Sequence, residues 1–423
     1  MIKIWKHLLS SIVSTLSRDL ITLLGQISLT PLFLIRFGQA EYTKWLTMLS
    51  YSSFIVLADF GMSTVIIYKL INTFEKYRFY DLFLWNWFKK KTLLISFFLI
   101  TIAALVCSQK YPFGIQKLYL FNSNIQLFIA LTASAIITLY QHFWLYKKQI
   151  EDRTSLGQRH ISLLRFFEIL SLIILLQFDI QLTNFAWYFA FSKLFFFLSL
   201  QVSQRNKSKL FKIPGANSDI SGIIKPIIGN AFITTADVVS LHGSFILASF
   251  WLSPSELITI AIARMLASPV RILATGIISS SLPFLIRNNQ KRNQESSELL
   301  ALKTLANWSK IVLAAGTLIL LGLSKPLWDF LSHNMISYNG NIVLWFCIAT
   351  LSDSFLAFKF QRYISTNKAL YGGIVYLSTT LFMTAFQKML GNYVGLAAVP
   401  ICIFLADIIT ITYISLRESI DAV

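Results

Sequence analysis

Charge, and acidic charge above all, is scarce in this sequence. Asp, Glu, Lys and Arg make up 13% of the 423 residues, whereas soluble domains usually carry roughly a quarter. The deficit argues against a soluble protein of two or three domains and favours lipid as the surrounding medium. The 37 Lys and Arg outnumber the 19 Asp and Glu. Because these basic residues lie in short segments between apolar runs, they indicate membrane topology, and we expect no nucleic-acid partner.

Residues that build metal sites and disulfides are also few. The three cysteines, Cys107, Cys347 and Cys402, fall inside or at the edge of apolar runs and lack the close pairing of a metal site or disulfide framework. The histidines show no metal-ligand spacing, and no phosphate loop or nucleophile elbow is visible. We therefore expect no metal, no cofactor and no enzymatic activity.

Long apolar runs are abundant instead. They lie near 12–35, 44–71, 92–108, 125–146, 161–177 and 182–202, and then near 220–248, 257–285, 304–323, 341–357, 371–390 and 393–415. Runs of about 20 apolar residues are typical of membrane-spanning helices. The first run is interrupted by Arg18 and Asp19 and lacks a small-residue cleavage site, so we expect it to be retained. The pattern predicts an all-α polytopic membrane protein of about twelve transmembrane helices in two six-helix halves around a central cavity.

Lys and Arg concentrate in every second loop between these runs. The basic-poor loops hold only Arg36, Lys44, Lys110, Lys117, Lys325 and Lys388. Since cytoplasmic loops retain positive charge, both termini are predicted to lie in the cytoplasm of a bacterial cell, with the chain in its inner membrane.

The longest polar interruption near the centre is the segment 205–219. It predicts an N-terminal six-helix half at 1–204, a cytoplasmic linker at 205–219 and a C-terminal half at 220–423. A weak internal echo aligns 35–50 with 250–265, and such repetition is common in secondary transporters.

Two stretches carry a family resemblance. Residues 30–70 contain a Phe-Gly turn, an acidic residue and aromatics, and then an Asp-x-Gly motif; these are Phe37, Gly38, Glu41, Tyr42, Trp45, Asp59 and Gly61. Residues 227–287 contain Asp237, Arg264, Pro269 and Pro283. Both resemble the polysaccharide or O-antigen repeat-unit flippase branch of the multidrug, oligosaccharidyl-lipid and polysaccharide exporter superfamily. The match departs at Thr43, where the family has a small residue.

The resemblance implies a flippase that moves a polyprenyl-pyrophosphate-linked oligosaccharide, such as an O-antigen, capsule or exopolysaccharide repeat unit, across the cytoplasmic membrane by alternating access. It implies a monomer among membrane lipids, with polysaccharide assembly proteins as further partners and with H⁺ or Na⁺ as a candidate coupling ion.

Cationic side chains inside the apolar runs are the candidate substrate-binding residues. They are Arg18, Arg264, Arg271, Lys193 and Lys225. Charges at membrane depth usually face a partner or a water-filled cavity, and a pyrophosphate requires cationic partners. Arg264 and Arg271 are seven residues apart, which places them on nearly one helix face. Snorkelling and structural pairing remain the alternatives, especially for Lys193 and Lys225.

Carboxylates inside or beside the runs are candidates for charge pairing or ion coupling. They are Asp19, Asp59, Asp237, Asp353 and Asp407. We favour pairing, because buried arginines need counter-charges. For Arg18 we expect a partner across the bundle more than Asp19, since adjacent helical side chains point about 100° apart.

Two other functions fit parts of the pattern. A multidrug or cation antiporter of the same superfamily is disfavoured because a cationic interior repels cationic drugs. A membrane glycosyltransferase or polymerase is disfavoured because the outer loops, near 109–124 and 324–340, are short.

Overall fold

The computed structural model describes residues 2–55, 118–150, 154–204, 221–290, 297–365 and 368–420. Within these ranges the chain is helical and contains no strand, so the all-α prediction is confirmed. The helices are α1 (Ile2–Ser53), α2 (Leu118–Ile150), α3 (Thr154–Leu175), α4 (Leu182–Gln204), α5 (Ser221–Val238), α6 (Ser244–Ala248), α7 (Pro254–Gln290), α8 (Ser297–Ser332), α9 (Gly340–Ser365), α10 (Ala369–Val394) and α11 (Ala398–Ile420).

Each predicted apolar run that falls within the described residues coincides with a helix. Seven stretches of these residues are long and apolar enough to cross a membrane, and two of them continue through a break between helical segments. The run at 92–108, most of the run at 44–71 and the linker at 205–219 lie outside the described residues. The division into halves at that linker therefore stays a prediction.

Gly38 divides α1 into two arms. The helix has 52 residues, more than twice the roughly 20 that cross a bilayer. At Gly38 the backbone leaves the helical region with φ 75° and ψ 175°, a conformation that glycine adopts without the steric cost of a Cβ atom. The Phe-Gly turn expected between the first two apolar runs is thus the point where the chain changes direction.

A π turn joins α5 to α6. Residues Val239–Gly243 form this turn, and the Ser244 N–H donates to the Val239 carbonyl five residues earlier. A π turn is equivalent to one extra residue in an α-helix, and such turns occur frequently at functional sites.

Helix α1 connects two groups of helices. Helices α1–α4 pack on one another, as do α5–α11, and α1 packs along α7 in the antiparallel sense. Along this seam a Cβ atom at Gly276 would lie 2.6 Å from Leu16 Cδ2. The Thr30 hydroxyl lies 3.7 Å from Met265 Sδ.

One large apolar core closes the end of the bundle near Gly38. It contains Phe33, Trp45, Phe185, Phe245 and Trp328, from both groups of helices. The Phe33 and Phe185 ring centres are 5.1 Å apart at nearly right angles, a preferred aromatic geometry. We call this set the distal core. In the predicted topology it lies at the outer surface of the membrane.

Candidate functional site

The charged residues inside the bundle form two clusters. In the first cluster His142 interacts electrostatically with Arg18, Arg165 and Lys193. In the second cluster His242 interacts with Arg264 and Arg271. The first belongs to α1–α4 and the second to α5–α11. Arg18 and Lys193 therefore lie in a different cluster from Arg264 and Arg271.

In the first cluster Arg18 forms a local ion pair. Its Nε lies 2.6 Å from Asp19 Oδ1, and its Nη1 donates to Gln158 Oε1 of α3 at 3.0 Å. We expected a partner across the bundle in place of Asp19, and Arg18 instead binds both: Gln158 across the bundle and the adjacent Asp19. The long arginine side chain can fold back along the helix, and its five N–H donors can bind the neighbouring carboxylate and a distant amide together.

Lys193 is buried with polar but uncharged partners. Its side chain on α4 is 6% exposed, and its ammonium donates to Ser134 Oγ at 3.3 Å and Thr138 Oγ1 at 3.0 Å. The Nζ also lies 4.3 Å from the centre of the Phe189 ring, within the range of a cation–π contact. No carboxylate among the described residues forms a salt bridge with Lys193.

An ion pair that the sequence analysis missed completes the first cluster. Arg165 Nη1 lies 2.7 Å from Glu168 Oε2, and Gln141 donates to the other oxygen at 3.2 Å. The three-residue spacing of opposite charges inside the apolar run at 161–177 was the available signal. Among the described residues the cluster holds three basic side chains, Arg18, Arg165 and Lys193, and two carboxylates, so basic groups outnumber acidic ones.

Acidic residues dominate the second cluster. The Arg271 Nε lies 3.2 Å from Asp353 Oδ2, which is the kind of Arg–Asp pair that we favoured. Asp237 instead accepts from the Tyr376 hydroxyl at 3.1 Å. It also interacts electrostatically with Asp353 and Arg271.

Asp407 is the most enclosed carboxylate of the second cluster. It is 0% exposed, and one of its oxygens accepts from Ser352 Oγ at 2.8 Å. The other oxygen, Oδ1, has no hydrogen-bond partner among the described residues. Asp407 interacts electrostatically with Asp353, Asp237 and Arg271, so three carboxylates share the neighbourhood of one arginine. Sequence reasoning placed all three inside apolar runs but did not identify the hydroxyl groups of Tyr376 and Ser352.

Arg264 differs from Arg271 in its partner. Its Nη1 donates to the Leu241 carbonyl in the π turn at 2.7 Å, and no carboxylate of the described ranges forms a salt bridge with it. The two arginines are close enough to interact electrostatically. The nearby His242 Nδ1 is buried, and no hydrogen-bond partner for it lies in the part of the chain that the structure describes.

Two candidate charged residues, Lys225 and Asp59, have no described side-chain contacts. Lys225 lies in the first turns of α5, where the backbone alone is described, and Asp59 lies outside the described residues. Cys347 and Cys402 are buried and unpaired, and Cys107 is also outside. Among the residues that the structure covers, no group of three or more His, Cys, Asp or Glu could hold a metal ion.

Comparisons with known proteins identify the fold. No family model and no curated protein sequence matches the chain. A multidrug resistance MATE family transporter of the MOP superfamily, solved in an outward-facing conformation, is 13% identical with a TM-score of 0.64, and the match covers 99% of this chain and 96% of that one.

Two further solved structures agree with that match. The Vibrio cholerae MATE transporter VcmN in its bent form is 13% identical with a TM-score of 0.62, over 97% of this chain and 95% of that chain. A MATE crystal structure in complex with MaL6 is 11% identical with a TM-score of 0.61, over 98% and 96%. At this identity the likeness establishes the fold, and it confirms the expectation of about twelve transmembrane helices. The MOP superfamily is the one that the stretches 30–70 and 227–287 resemble. The chain is a multi-pass membrane protein with the fold of the MATE transporters.

Proposed function

We propose that the protein is a flippase for polyprenyl-pyrophosphate-linked oligosaccharides in the bacterial inner membrane. The two halves, 1–204 and 220–423, alternate access to a central cavity around the linker at 205–219, with both termini in the cytoplasm. The sugars and pyrophosphate pass through the cavity while the prenyl chain remains in lipid. The protein acts as a monomer.

Arg264 is the observation that carries this proposal. It is bonded to a neutral carbonyl, and no described carboxylate neutralises it. A buried cation without a counter-charge is costly, and an anionic ligand would remove this cost. A pyrophosphate is suitable because guanidinium groups bind phosphate oxygens through paired N–H donors.

The first cluster supports the same ligand class. Lys193 donates to two hydroxyls and lies over a phenyl ring, and basic side chains outnumber carboxylates among the described residues of this cluster. In this proposal the pyrophosphate is held in the cavity by Arg18 and Lys193 of the first cluster and by Arg264 and Arg271 of the second. Lys225, at the cytoplasmic start of α5, is proposed to contribute to the same path. These cations lower the cost of holding the anion in the low-dielectric part of the membrane.

A cation-coupled multidrug antiporter is the second candidate. Its support is the carboxylate-rich second cluster, where Asp237 and Asp407 accept from hydroxyl groups and form no salt bridge with an arginine of the described ranges. In our proposal these carboxylates serve coupling to H⁺ or Na⁺ and not drug binding, because Arg264 and Arg271 lie among them and disfavour an organic cation.

Arg264→Ala gives the sharpest test, since it removes a cation without leaving a paired carboxylate behind. Flipping of lipid-linked oligosaccharide, or surface polysaccharide in cells, is measured at matched protein levels in the membrane. We expect Arg264→Ala to impair transport severely and the combination with Arg271→Ala to abolish it. Two controls should leave transport nearly intact. One is Lys310→Ala, which removes an exposed cation in an apolar span of α8. The other is Lys291→Ala with Arg292→Ala, which removes two cations between the apolar runs at 257–285 and 304–323.

Transport at the normal rate by the Arg264/Arg271 double variant would remove the proposed substrate site. Efflux of a cationic dye that depends on Asp407, without any flipping of the lipid-linked substrate, would replace the flippase with the antiporter.

A further inference from the structure

The π turn at Val239–Gly243 is held by a side chain from another helix. Its Leu241 carbonyl accepts from Arg264 Nη1 at 2.7 Å, and Arg264 lies on α7. A π turn alters the regular hydrogen-bond ladder of a helix, so a donor from outside can stabilise it. Without this donor, the ordinary α-helical pattern gains in relative stability.

The α5 side of the turn is fixed to α10. A Cβ atom at Gly229 would lie 2.5 Å from the Leu370 backbone nitrogen, and one at Gly373 would lie 2.6 Å from the Gly229 carbonyl oxygen. The two backbones therefore touch where neither residue has a side chain. The bond from Tyr376 to Asp237 adds a second attachment close to the turn.

The α6 side contacts α10 through side chains, not through the backbones of both helices. The Gln387 Nε2 donates to the Ser244 carbonyl at 3.4 Å, and a Cβ atom at Gly391 would lie 2.7 Å from the Trp251 ring. Phe245 and Ala248 of α6 are members of the distal core that joins the two groups of helices. Movement of α6 would thus disturb the packing of the distal core.

We propose that Arg264 and the π turn form a latch that couples anion binding in the cavity to opening of the distal core. An anion on Arg264 withdraws the donor from the Leu241 carbonyl, and the π turn converts to α-helix. When the extra residue of the π turn enters the regular α-helix, the helix on one side of the turn rotates by about 100° and shifts by about 1.5 Å relative to the helix on the other side. Because α5 is fixed by the glycine contact, α6 makes this movement and carries Phe245 and Ala248 out of the distal core.

The latch rests on the proposed function only for the identity of the anion.

The experiment places spin labels at Phe250→Cys and Ala40→Cys, two exposed positions at the distal end, after replacement of the three native cysteines by alanine. Distances between the labels are measured in the full-length protein in nanodiscs, with and without a polyprenyl pyrophosphate. On opening we expect the distance between the two labels to change by about 5 Å, because rotation of a helix moves its side chains by about the radius of the helix with side chains.

Arg264→Leu removes the donor and should produce this shift without ligand. Gly243→Ala is an independent variant that keeps Arg264: its Cβ atom would lie 3.3 Å from Val239 Cγ1 within the π turn, so it should favour the α-helical form and shift the distances in the same direction. Lys310→Leu is the matched control and should keep the wild-type distances.

The two variants are read together, and a shift in only one of them also refutes the latch. Wild-type distances in both Arg264→Leu and Gly243→Ala refute the latch, and if the wild-type protein still responds to the pyrophosphate the proposed function stands. A shift in both variants supports the latch. If the wild-type protein then fails to respond to the pyrophosphate, the proposed substrate is wrong while the latch holds.

Discussion

Replacing Gly229 by alanine should destabilise the protein by separating α5 from α10. The added Cβ atom would lie 2.5 Å from Leu370 N, 2.7 Å from Ala369 C and 2.8 Å from Leu370 Cα. All three are backbone atoms, so no side-chain rotation can relieve the overlap. Non-bonded heavy atoms are most favourable about 3.5 Å apart or more, and the two helices must therefore separate by about 1 Å.

The expected cost follows from overpacking. Inserting one methyl group into a well-packed interior costs about 1–3 kcal/mol, and the backbone contact places Gly229→Ala in the upper part of that range. Because the entropy of unfolding grows with chain length, 1 kcal/mol moves the unfolding midpoint of a chain of 423 residues by about 1–2 °C. We therefore expect a decrease of a few degrees. The midpoint can be measured in detergent by the loss of monodisperse protein in size-exclusion chromatography after heating.

Gly322→Ala provides the matched control. Gly322 also lies within an apolar span, but an added Cβ atom there would have nothing within 4 Å. Since glycine inside a helix costs about 0.5–1 kcal/mol relative to alanine, Gly322→Ala should keep or raise the midpoint. A Gly229→Ala protein as stable as the wild type would show that the close contact does not fix α5 to α10, and the argument for which side of the π turn moves would fail with it.

Two further predictions concern charge and topology. Asp353→Asn should lower the unfolding midpoint, because it removes the counter-charge of Arg271. Asp407→Asn should leave the midpoint unchanged, because Asp407 accepts from a hydroxyl and forms no salt bridge among the described residues; a larger decrease of the midpoint in Asp407→Asn than in Asp353→Asn would contradict these roles. Membrane-impermeant thiol reagents should label Asn334→Cys from outside intact cells and should not label Ser208→Cys. The reverse labelling pattern would overturn the topology. Ser332, at the end of α8, is unsuitable for labelling because it is 0% exposed.

Hydrophobic patterning was sufficient to locate the helices. Apolar runs determine which segments enter the membrane, and the described helices coincide with them. The break between the first two runs was also predictable, since a glycine after an aromatic residue interrupts the apolar run there. The π turn was not, because residues 220–248 form one uninterrupted apolar run and a turn of one extra residue leaves no compositional signal.

Most of the candidate charged residues lie within the described helices, but the partners of their side chains were only partly predicted. Arg271 forms the expected kind of Arg–Asp pair, whereas Arg18 pairs with its own neighbour and Asp407 with a serine. Partner choice depends on helix rotation and on hydroxyl groups such as that of Tyr376, which are common in apolar runs and give no distinctive pattern. Glu168 could have been found, because its spacing from Arg165 is visible in the sequence.

The pairing of Arg18 with Asp19 has a consequence for biosynthesis. Both residues leave the ribosome together, so the first helix can enter the membrane with its charge already balanced. Arg271 meets Asp353 only after α9 has been made, and Arg264 bonds to a carbonyl that precedes it in the chain. The N-terminal segment can therefore insert independently, whereas stable insertion of α7 depends on protein synthesised later.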